Sequence, residues 1–353
     1  MKIQRLKTKV VKIGELKLGG NNPVRIKAML KTSTRDVKNL LKEARQLKEE
    51  GAEAIRLAVR EEKDAPLVKL LKKEVGLPFV ADVHFNYRCA LSAIAEGFDA
   101  VRLNPLNIYK KDQVKEVVRE AKARGISLRV GVNSGGFKRK FKHSQELARA
   151  MVESLAGYIK ILEALKFFDI MVSLKGRDVM STIWANRLFA QKFNYPLHLG
   201  VTATGSFLEG TVKSSIGLGV LLQDGIGDII RVSLTAPSFW EVRLAKEILQ
   251  ALKIRQFGPQ IISCPTCSRC EVNLIDIVDK FKKRLQASNF KEPREIALMG
   301  CVVNGPGEAM QADIGAAFGK TKAVIFQDGK IVKQTTQDKV IEDLLKGVKY
   351  GYK

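Results

Sequence analysis

The chain has 353 residues, 45% hydrophobic and 28% charged, and its 61 Lys and Arg against 37 Asp and Glu give a net charge of +24. That length supports a sizeable core and, as a prior, two domains. There is no run of 18 apolar residues to span a membrane and no apolar signal-peptide core in "MKIQRLKTKVVKIGELKLGG", so cytoplasm is the expected compartment.

Eight apolar runs follow one another from the N-terminus: 23–30, 52–59, 78–85, 99–105, 126–132, 169–176, 196–202 and 227–234. They are near-continuous rather than alternating, as strands buried on both faces read. Helical patterns lie between them, at Asp36–Glu50, Ala65–Glu74, Lys111–Arg124, Gln145–Leu165 and Lys213–Gln223. The order predicts an α/β chain with an N-terminal (β/α)8 TIM-type barrel over residues 1–251. A doubly wound open sheet is the rival, but "KAMLKTSTRD" offers no Gly-rich phosphate turn after an early strand. "LKIRQFGPQ" (252–260) reads as a linker. Residues 261–353 then form a small α+β unit: "QIISC", a helix over Val272–Ala287, "REIALMGC", "ADIGAAF", "AVIFQDGKIV" with a hairpin at "QDGK", and a final helix near Asp338–Lys346.

In such a barrel the chemistry sits at the C-terminal strand ends. Those ends carry Arg56, Asp82, His84, Arg102, Asn104, Arg129, Asn133, Lys175, Thr202, Arg231 and Ser233. Any single Arg there reads first as a barrel-rim or interhelix salt bridge. Five cations from five strands on one mouth read instead as a site for a small, highly anionic ligand. Guanidinium forks make paired charge-assisted bonds to phosphate oxygens. His84 is the histidine best sited for catalysis, with a rim histidine satisfied by a backbone carbonyl as the alternative. His143 reads as exposed and His198 as structural. The net charge also raises nucleic acid as a partner. The lysines, however, are spread over predicted helices with no basic tail, so no nucleic acid is expected.

The five cysteines are Cys89, Cys264, Cys267, Cys270 and Cys301. Three of them fall within "CPTCSRC", and Cys301 is followed by "NGPGEA" with Glu308. In a reducing compartment such clustering points to metal or redox chemistry rather than disulfides. Thiolates suit an iron–sulfur cluster or zinc, although a zinc ribbon repeats its C-x-x-C, which this chain does not. Inert cysteines are the third reading. Two ligand sets are open: Cys264, Cys267, Cys270 and Cys301, which spacing prefers, or Glu308 in place of Cys270.

The stretches "TSTRDV" (32–37), "VADVHFNYR" (80–88), "RLNPLNI" (102–108), "RVGVN" (129–133), "LGVTATG" (199–205), "VKSSIGLGVLLQDGIGDIIRVSL" (212–234), "ISCPTC" (262–267) and "GCVVNGPGEA" (300–309) resemble the 4-hydroxy-3-methylbut-2-enyl diphosphate synthases of the non-mevalonate isoprenoid pathway. The resemblance covers nearly the full chain. It implies a barrel followed by an iron–sulfur domain. It also implies reductive ring opening and dehydration of 2-C-methyl-erythritol 2,4-cyclodiphosphate by a [4Fe–4S] cluster. The implied cluster ligands are Cys264, Cys267, Cys301 and Glu308, which removes Cys270 from the set. The implied substrate positions are Arg56, Arg102, Asn104, Arg129, Asn133, Lys175, Arg231 and Ser233, with Asp82 nearby. Ferredoxin or flavodoxin is the implied electron donor, and a homodimer with an intersubunit active site the implied assembly.

Three departures from the family pattern fall near the mouth. Thr202-Ala203-Thr204-Gly205 stands where the family has Thr-Glu-Ala-Gly, Lys27-Ala28-Met29 where it has Gln-Ser-Met, and Leu106 where it has Gly. A positioned proton donor contributes about 10²–10⁴-fold in rate, so Glu209 enters as a substitute for the Glu missing at Ala203. The candidates for catalysis are therefore Glu308, Asp82, His84 and Glu209. Two other functions stand behind this one: a related iron–sulfur barrel reductase acting on another phosphorylated substrate, and a nucleic-acid-binding iron–sulfur protein.

Overall fold

Two short strands, β1 (Val11–Ile13) and β2 (Leu16–Leu18), open the computed structural model as an antiparallel hairpin; residues 3–352 are described. The barrel follows in alternating order. It runs β3 (Arg25–Met29), α1 (Val37–Glu49), β4 (Ala54–Ala58), α2 (Leu67–Val75), β5 (Phe79–Asp82), α3 (Tyr87–Glu96), β6 (Ala100–Leu103) and α4 (Lys111–Ala123). It continues with β7 (Ser127–Asn133), α5 (Ser144–Ala164), β8 (Ile170–Lys175), α6 (Val179–Lys192), β9 (His198–Leu199), α7 (Phe207–Gln223), β10 (Ile229–Ile230) and α8 (Ser238–Ala251). Strands β3 to β10 pair in parallel in the order β8-β7-β6-β5-β4-β3-β10-β9, and a parallel bridge from Val172 to Leu197 closes the ring.

The eight apolar runs thus become the eight barrel strands. Each is flanked by parallel neighbours and covered by helices, which is why it carries apolar residues at successive positions. The helices follow their apolar stripes. In α1, Leu40, Ala44 and Leu47 are buried, and the Asp36 side chain caps the start by accepting from Asn39 N–H. Three barrel helices were not foreseen from the sequence. In α6, Ser181, Thr182 and Asn186 are buried beside Ile183 and Phe189, which blurs the apolar stripe. Asn186 is satisfied there by donating to the Leu174 and Thr182 carbonyls. In α8 the buried Glu241 does the same, and α3 is only ten residues long.

The chain divides after Arg255. The second unit comprises β11 (Gln260–Ser263), α9 (Leu274–Ala287), β12 (Glu295–Met299), α10 (Gly305–Ala309), β13 (Ile314–Phe318), β14 (Lys322–Gln327), β15 (Lys330–Thr336) and α11 (Val340–Tyr350). Its sheet runs β11-β12-β13-β14-β15, parallel over the first three strands and antiparallel over the last. Phe281, Leu298, Ile314, Phe318, Ile325 and Leu344 form its core. The "QDGK" turn joins β14 to β15, with Asp328 at φ 49° and Gly329 at φ 77°, the positive dihedrals that a tight hairpin requires.

Candidate active site

Barrel strands turn alternate residues inward, and in this barrel those residues form three layers. The N-terminal end is sealed by the β1–β2 hairpin. Ile13 and Leu18 pack there against Val80, Ala100, Met171 and Ile229, and the Ser127 hydroxyl donates to the Lys12 carbonyl at 2.6 Å.

Above this apolar floor lies a buried polar layer of Lys27, Arg129, Ser173 and His198. Arg129 Nη1 lies 2.6 Å from His198 Nδ1, and Lys27 Nζ lies 3.4 Å from the same nitrogen. A nitrogen that accepts from a guanidinium carries a lone pair, so the ring is neutral with its proton on Nε2. Burial, with Lys27 and Lys175 adding repulsion, holds His198 well below the usual histidine range. Burial also pulls Lys27 well below the usual lysine range, with Arg129, Arg56 and Lys175 acting in the same direction.

The third layer is the mouth, a cavity of about 240 Å³. Arg56, Arg102, Arg129, Lys175 and Arg231 all line it, as do Asp82, His84, Asn133, Thr202 and Ser233. Three arginines share one carboxylate: Asp82 lies 3.8 Å from Arg56 Nε, 3.7 Å from Arg102 Nη1 and 3.7 Å from Arg129 Nη2. Burial alone would push the Asp82 carboxyl up. Arg56, the bond to His84, Arg102 and Arg129 outweigh it and hold the group well below the usual carboxylate range. His84 Nε2 lies 3.3 Å from Asp82 Oδ2 and 3.2 Å from Arg102 Nη1, with its ring at the open rim.

Other contacts aim the remaining cations. Arg102 Nη2 donates to the Gly131 carbonyl at 3.2 Å. Arg231 Nη2 lies 3.5 Å from Glu241 Oε2, which reaches in from α8; burial and Arg56 lower its pKa to about 10. A side chain at Gly200, just beyond β9, would begin 2.6 Å from both the Arg231 carbonyl oxygen and Lys175 Nζ; the backbone oxygen cannot move aside, so glycine is needed there. Burial, followed by Arg231 and Arg56, draws the Lys175 ammonium well below its usual range.

Lys175 Nζ, Arg129 Nε and Nη2, and Arg231 Nε are buried with no hydrogen-bond partner among the described residues. Each such donor costs about 1–3 kcal/mol. Oxygens of an anion in the mouth would satisfy them together.

Two predicted residues lie elsewhere. Asn104 is buried but does not line the cavity; its Oδ1 accepts from Leu106 N–H at 3.2 Å. Glu209 sits exposed in the first turn of α7, engaged by the Ser206 hydroxyl, and is not among the cavity-lining residues. Ala203 is exposed at φ 52°. In the sequence Lys27 stands out only as a departure from the family pattern, and Glu241 does not stand out at all. Lys27 is two positions before the cavity-lining Met29, so strand alternation was the available signal; Glu241 had none, because its helix was not recognised.

The cysteines gather in the second unit, where β11 and β12 lie parallel and adjacent. Cys264 directly follows β11 and its N–H donates to the Leu298 carbonyl at 3.3 Å. Cys301 is buried two residues after β12. The backbone N–H groups of Asn304, Val303 and Gly305 draw its thiol below the usual range. Cys267 is exposed, and Glu308 is exposed on α10. Among the described residues, no three His, Cys, Asp or Glu converge tightly enough to hold a single metal ion. A cluster asks for a wider arrangement, because each ligand binds its own iron. Thiols beyond two adjacent strand ends, one already cradled by N–H groups, suit that chemistry.

Comparison with known proteins agrees with both halves. The GcpE TIM-barrel domain matches residues 8–246 and the GcpE protein C-terminal domain matches residues 260–350. The 4-hydroxy-3-methylbut-2-en-1-yl diphosphate synthase (flavodoxin) of Caldanaerobacter subterraneus subsp. tengcongensis is 45% identical over 350 residues, 99% of this chain and 98% of that protein. The enzyme of the same name from Thermodesulfovibrio yellowstonii is 46% identical over 349 residues, 98% of this chain and 99% of its own. Among solved structures, the phospho-2-dehydro-3-deoxyheptonate aldolase of Thermotoga maritima covers 70% of this chain and 72% of its own at a TM-score of 0.52 and 15% identity. The dihydropteroate synthase of Stenotrophomonas maltophilia covers 70% and 98% at 0.52 and 14%. These two show a shared barrel fold alone. The full-length matches decide the family: the chain belongs to the GcpE family of 4-hydroxy-3-methylbut-2-en-1-yl diphosphate synthases.

Proposed function

We propose that this enzyme converts 2-C-methyl-erythritol 2,4-cyclodiphosphate to 4-hydroxy-3-methylbut-2-enyl diphosphate. Two electrons and two protons enter, the carbon–oxygen bond closing the ring breaks, and water leaves. The observation that carries the reading is the set of buried, unpartnered cationic donors around Asp82 at the barrel mouth. Arg129, aimed by His198, and Arg231, aimed by Glu241, hold phosphate oxygens together with Arg56, Arg102 and Lys175. Asn133 and Ser233 add neutral contacts.

His84 bridges Asp82 and Arg102 at the rim, so the geometry favours it over Glu209 for moving a proton to the departing oxygen. The cluster ligands in this reading are Cys264, Cys267, Cys301 and Glu308. The donor chemistry at the β11 and β12 ends supports a [4Fe–4S] cluster, which when bound supplies electrons and an iron able to bind oxygen. Flavodoxin, printed in the relatives' names, or ferredoxin is the proposed electron donor. A homodimer in the cytoplasm completes the reading. A related reductase acting on another phosphorylated substrate is the second reading, favoured by Ala203 where the family carries Glu.

Protein purified without air and reduced with dithionite tests both. An EPR signal of a [4Fe–4S] cluster that changes on adding the cyclodiphosphate, with formation of the alkenyl diphosphate, is the expected result. An intact cluster that ignores the cyclodiphosphate and yields no product would overturn the first reading in favour of the second.

A further inference from the structure

Two cysteine sulfurs lie beside one glycine in the second unit. Gly300 lies between β12 and Cys301. A side chain on it would begin 2.3 Å from the Cys270 sulfur and 3.6 Å from the Cys264 sulfur. The Cys270 sulfur therefore occupies the space that a residue other than glycine would fill, and the Cys264 sulfur borders it. Backbone bonds fix this arrangement. Gly300 N–H donates to the Cys264 sulfur at 3.3 Å, and the Gly300 carbonyl accepts from Glu271 N–H at 2.9 Å. A tight turn brings the chain there, with Cys270 N–H donating to the Cys267 carbonyl at 2.9 Å. Cys264 and Cys270 are both half-buried against the apolar core of the unit, whereas Cys267 between them is exposed. The Cys270 thiol donates to the Val272 carbonyl at 3.3 Å, and the proposed ligand set gives it no task.

We propose that Cys264 and Cys270 join in a disulfide when the cluster is absent, so that Cys270 caps a cluster ligand. The consequence for iron binding, though not the bond itself, rests on the ligand set proposed above. The oxidant is a small-molecule disulfide such as oxidised glutathione. One protein thiolate attacks it, forming a mixed disulfide and releasing one glutathione thiol. The second protein thiolate displaces the other glutathione. Two protein thiols lose two electrons and two protons, and two glutathione thiols form. A disulfide needs a sulfur separation near 2.05 Å, and the Cys264 and Cys270 sulfurs already lie beside the same glycine, whereas Cys267 faces solvent. The bond keeps Cys264 from further oxidation and from iron until a dithiol reductant reopens it.

Trypsin provides the test, because it cuts after Arg269 and separates Gln256–Arg269 from Cys270–Lys280. The full chain, stripped of cluster, is treated with oxidised glutathione, alkylated, digested without reduction and analysed by mass spectrometry. The expected result is the two peptides joined, with fragmentation placing the bond on Cys264. The joined pair should persist in Cys267→Ser and be absent in Cys270→Ser. A bond from Cys267 to either neighbour, or stable glutathione adducts on Cys264 and Cys270, would overturn the proposal. After reduction and reconstitution, Cys270→Ser should bind as much iron and sulfide as the wild type. If it binds less, Cys270 is a ligand and the cap is wrong. If neither protein holds a cluster although the joined peptides form, the proposed ligand set falls and the disulfide alone stands.

Discussion

At the barrel mouth every cation is carried on or directly beyond a β-strand hydrogen-bonded on both sides, and Arg56, Arg102, Arg129 and Lys175 are buried before any ligand arrives, with Arg231 partly so. At the cysteine end of the second unit the thiols sit on loops beyond the strands and Glu308 on α10, with Cys267 and Glu308 exposed. The mouth thus spends folding energy on holding like charges together, and an anion relieves that repulsion. The cysteine end is held instead by backbone bonds, such as Glu271 N–H to the Gly300 carbonyl and Cys270 N–H to the Cys267 carbonyl. One region is set by buried like charges within a sheet and the other by loop hydrogen bonds, and changes in the two should fail differently.

Cys301→Ala gives the largest expected effect. The thiol cradled by the Asn304, Val303 and Gly305 N–H groups is lost. Iron content and visible absorption should fall to background, while barrel folding, followed by circular dichroism, stays intact. Retention of a full cluster would show that Cys301 is not a ligand.

Asp82→Asn attacks the mouth through its one shared carboxylate. Removing one partner from a buried charge group costs about 3–5 kcal/mol, so thermal unfolding should move to a clearly lower temperature with iron content unchanged. An unchanged melting temperature would mean that the three arginines, at 3.7–3.8 Å, draw little from Asp82.

Lys175→Met should separate binding from stability. Affinity for inorganic pyrophosphate should fall about 10- to 100-fold by calorimetry, the worth of a charged hydrogen bond. The ligand-free protein should become more stable, because a buried ammonium without a partner is removed. The pH dependence follows the same logic. Lys27 and Lys175 both have folded pKa values below 10.5, so the unfolded state binds more protons in that window. Stability of the ligand-free wild type should therefore rise with pH from the folded pKa toward 10.5. Denaturant titrations should show a shallower rise in Lys175→Met; parallel curves would place the proton elsewhere.

Glu209→Gln should change turnover less than twofold, since its carboxylate is engaged by Ser206 outside the cavity lining. A loss of a hundredfold or more would restore Glu209 as the proton donor in place of His84.

Much of this was legible in the residues. The eight apolar runs located the strands because two-sided burial leaves little room for polar residues. The five mouth cations were found because a parallel barrel gathers its strand ends. Buried polar side chains hid α6 and α8, and with α8 went Glu241. Asn104 and Glu209 were expected at the site, but one turns back to Leu106 N–H and the other to Ser206.

The sequence by itself determined the element order, the cationic character of one barrel end and the supply of thiols, because these follow from period, spacing and residue type. Only the tertiary structure decided that Lys27 and Arg129 meet on one nitrogen of His198, that three arginines share Asp82, and that Cys270 rather than Cys267 shares the space beside Gly300 with Cys264. Those are meetings between residues distant along the chain. Register and closure of the sheets set them, and no local pattern encodes either.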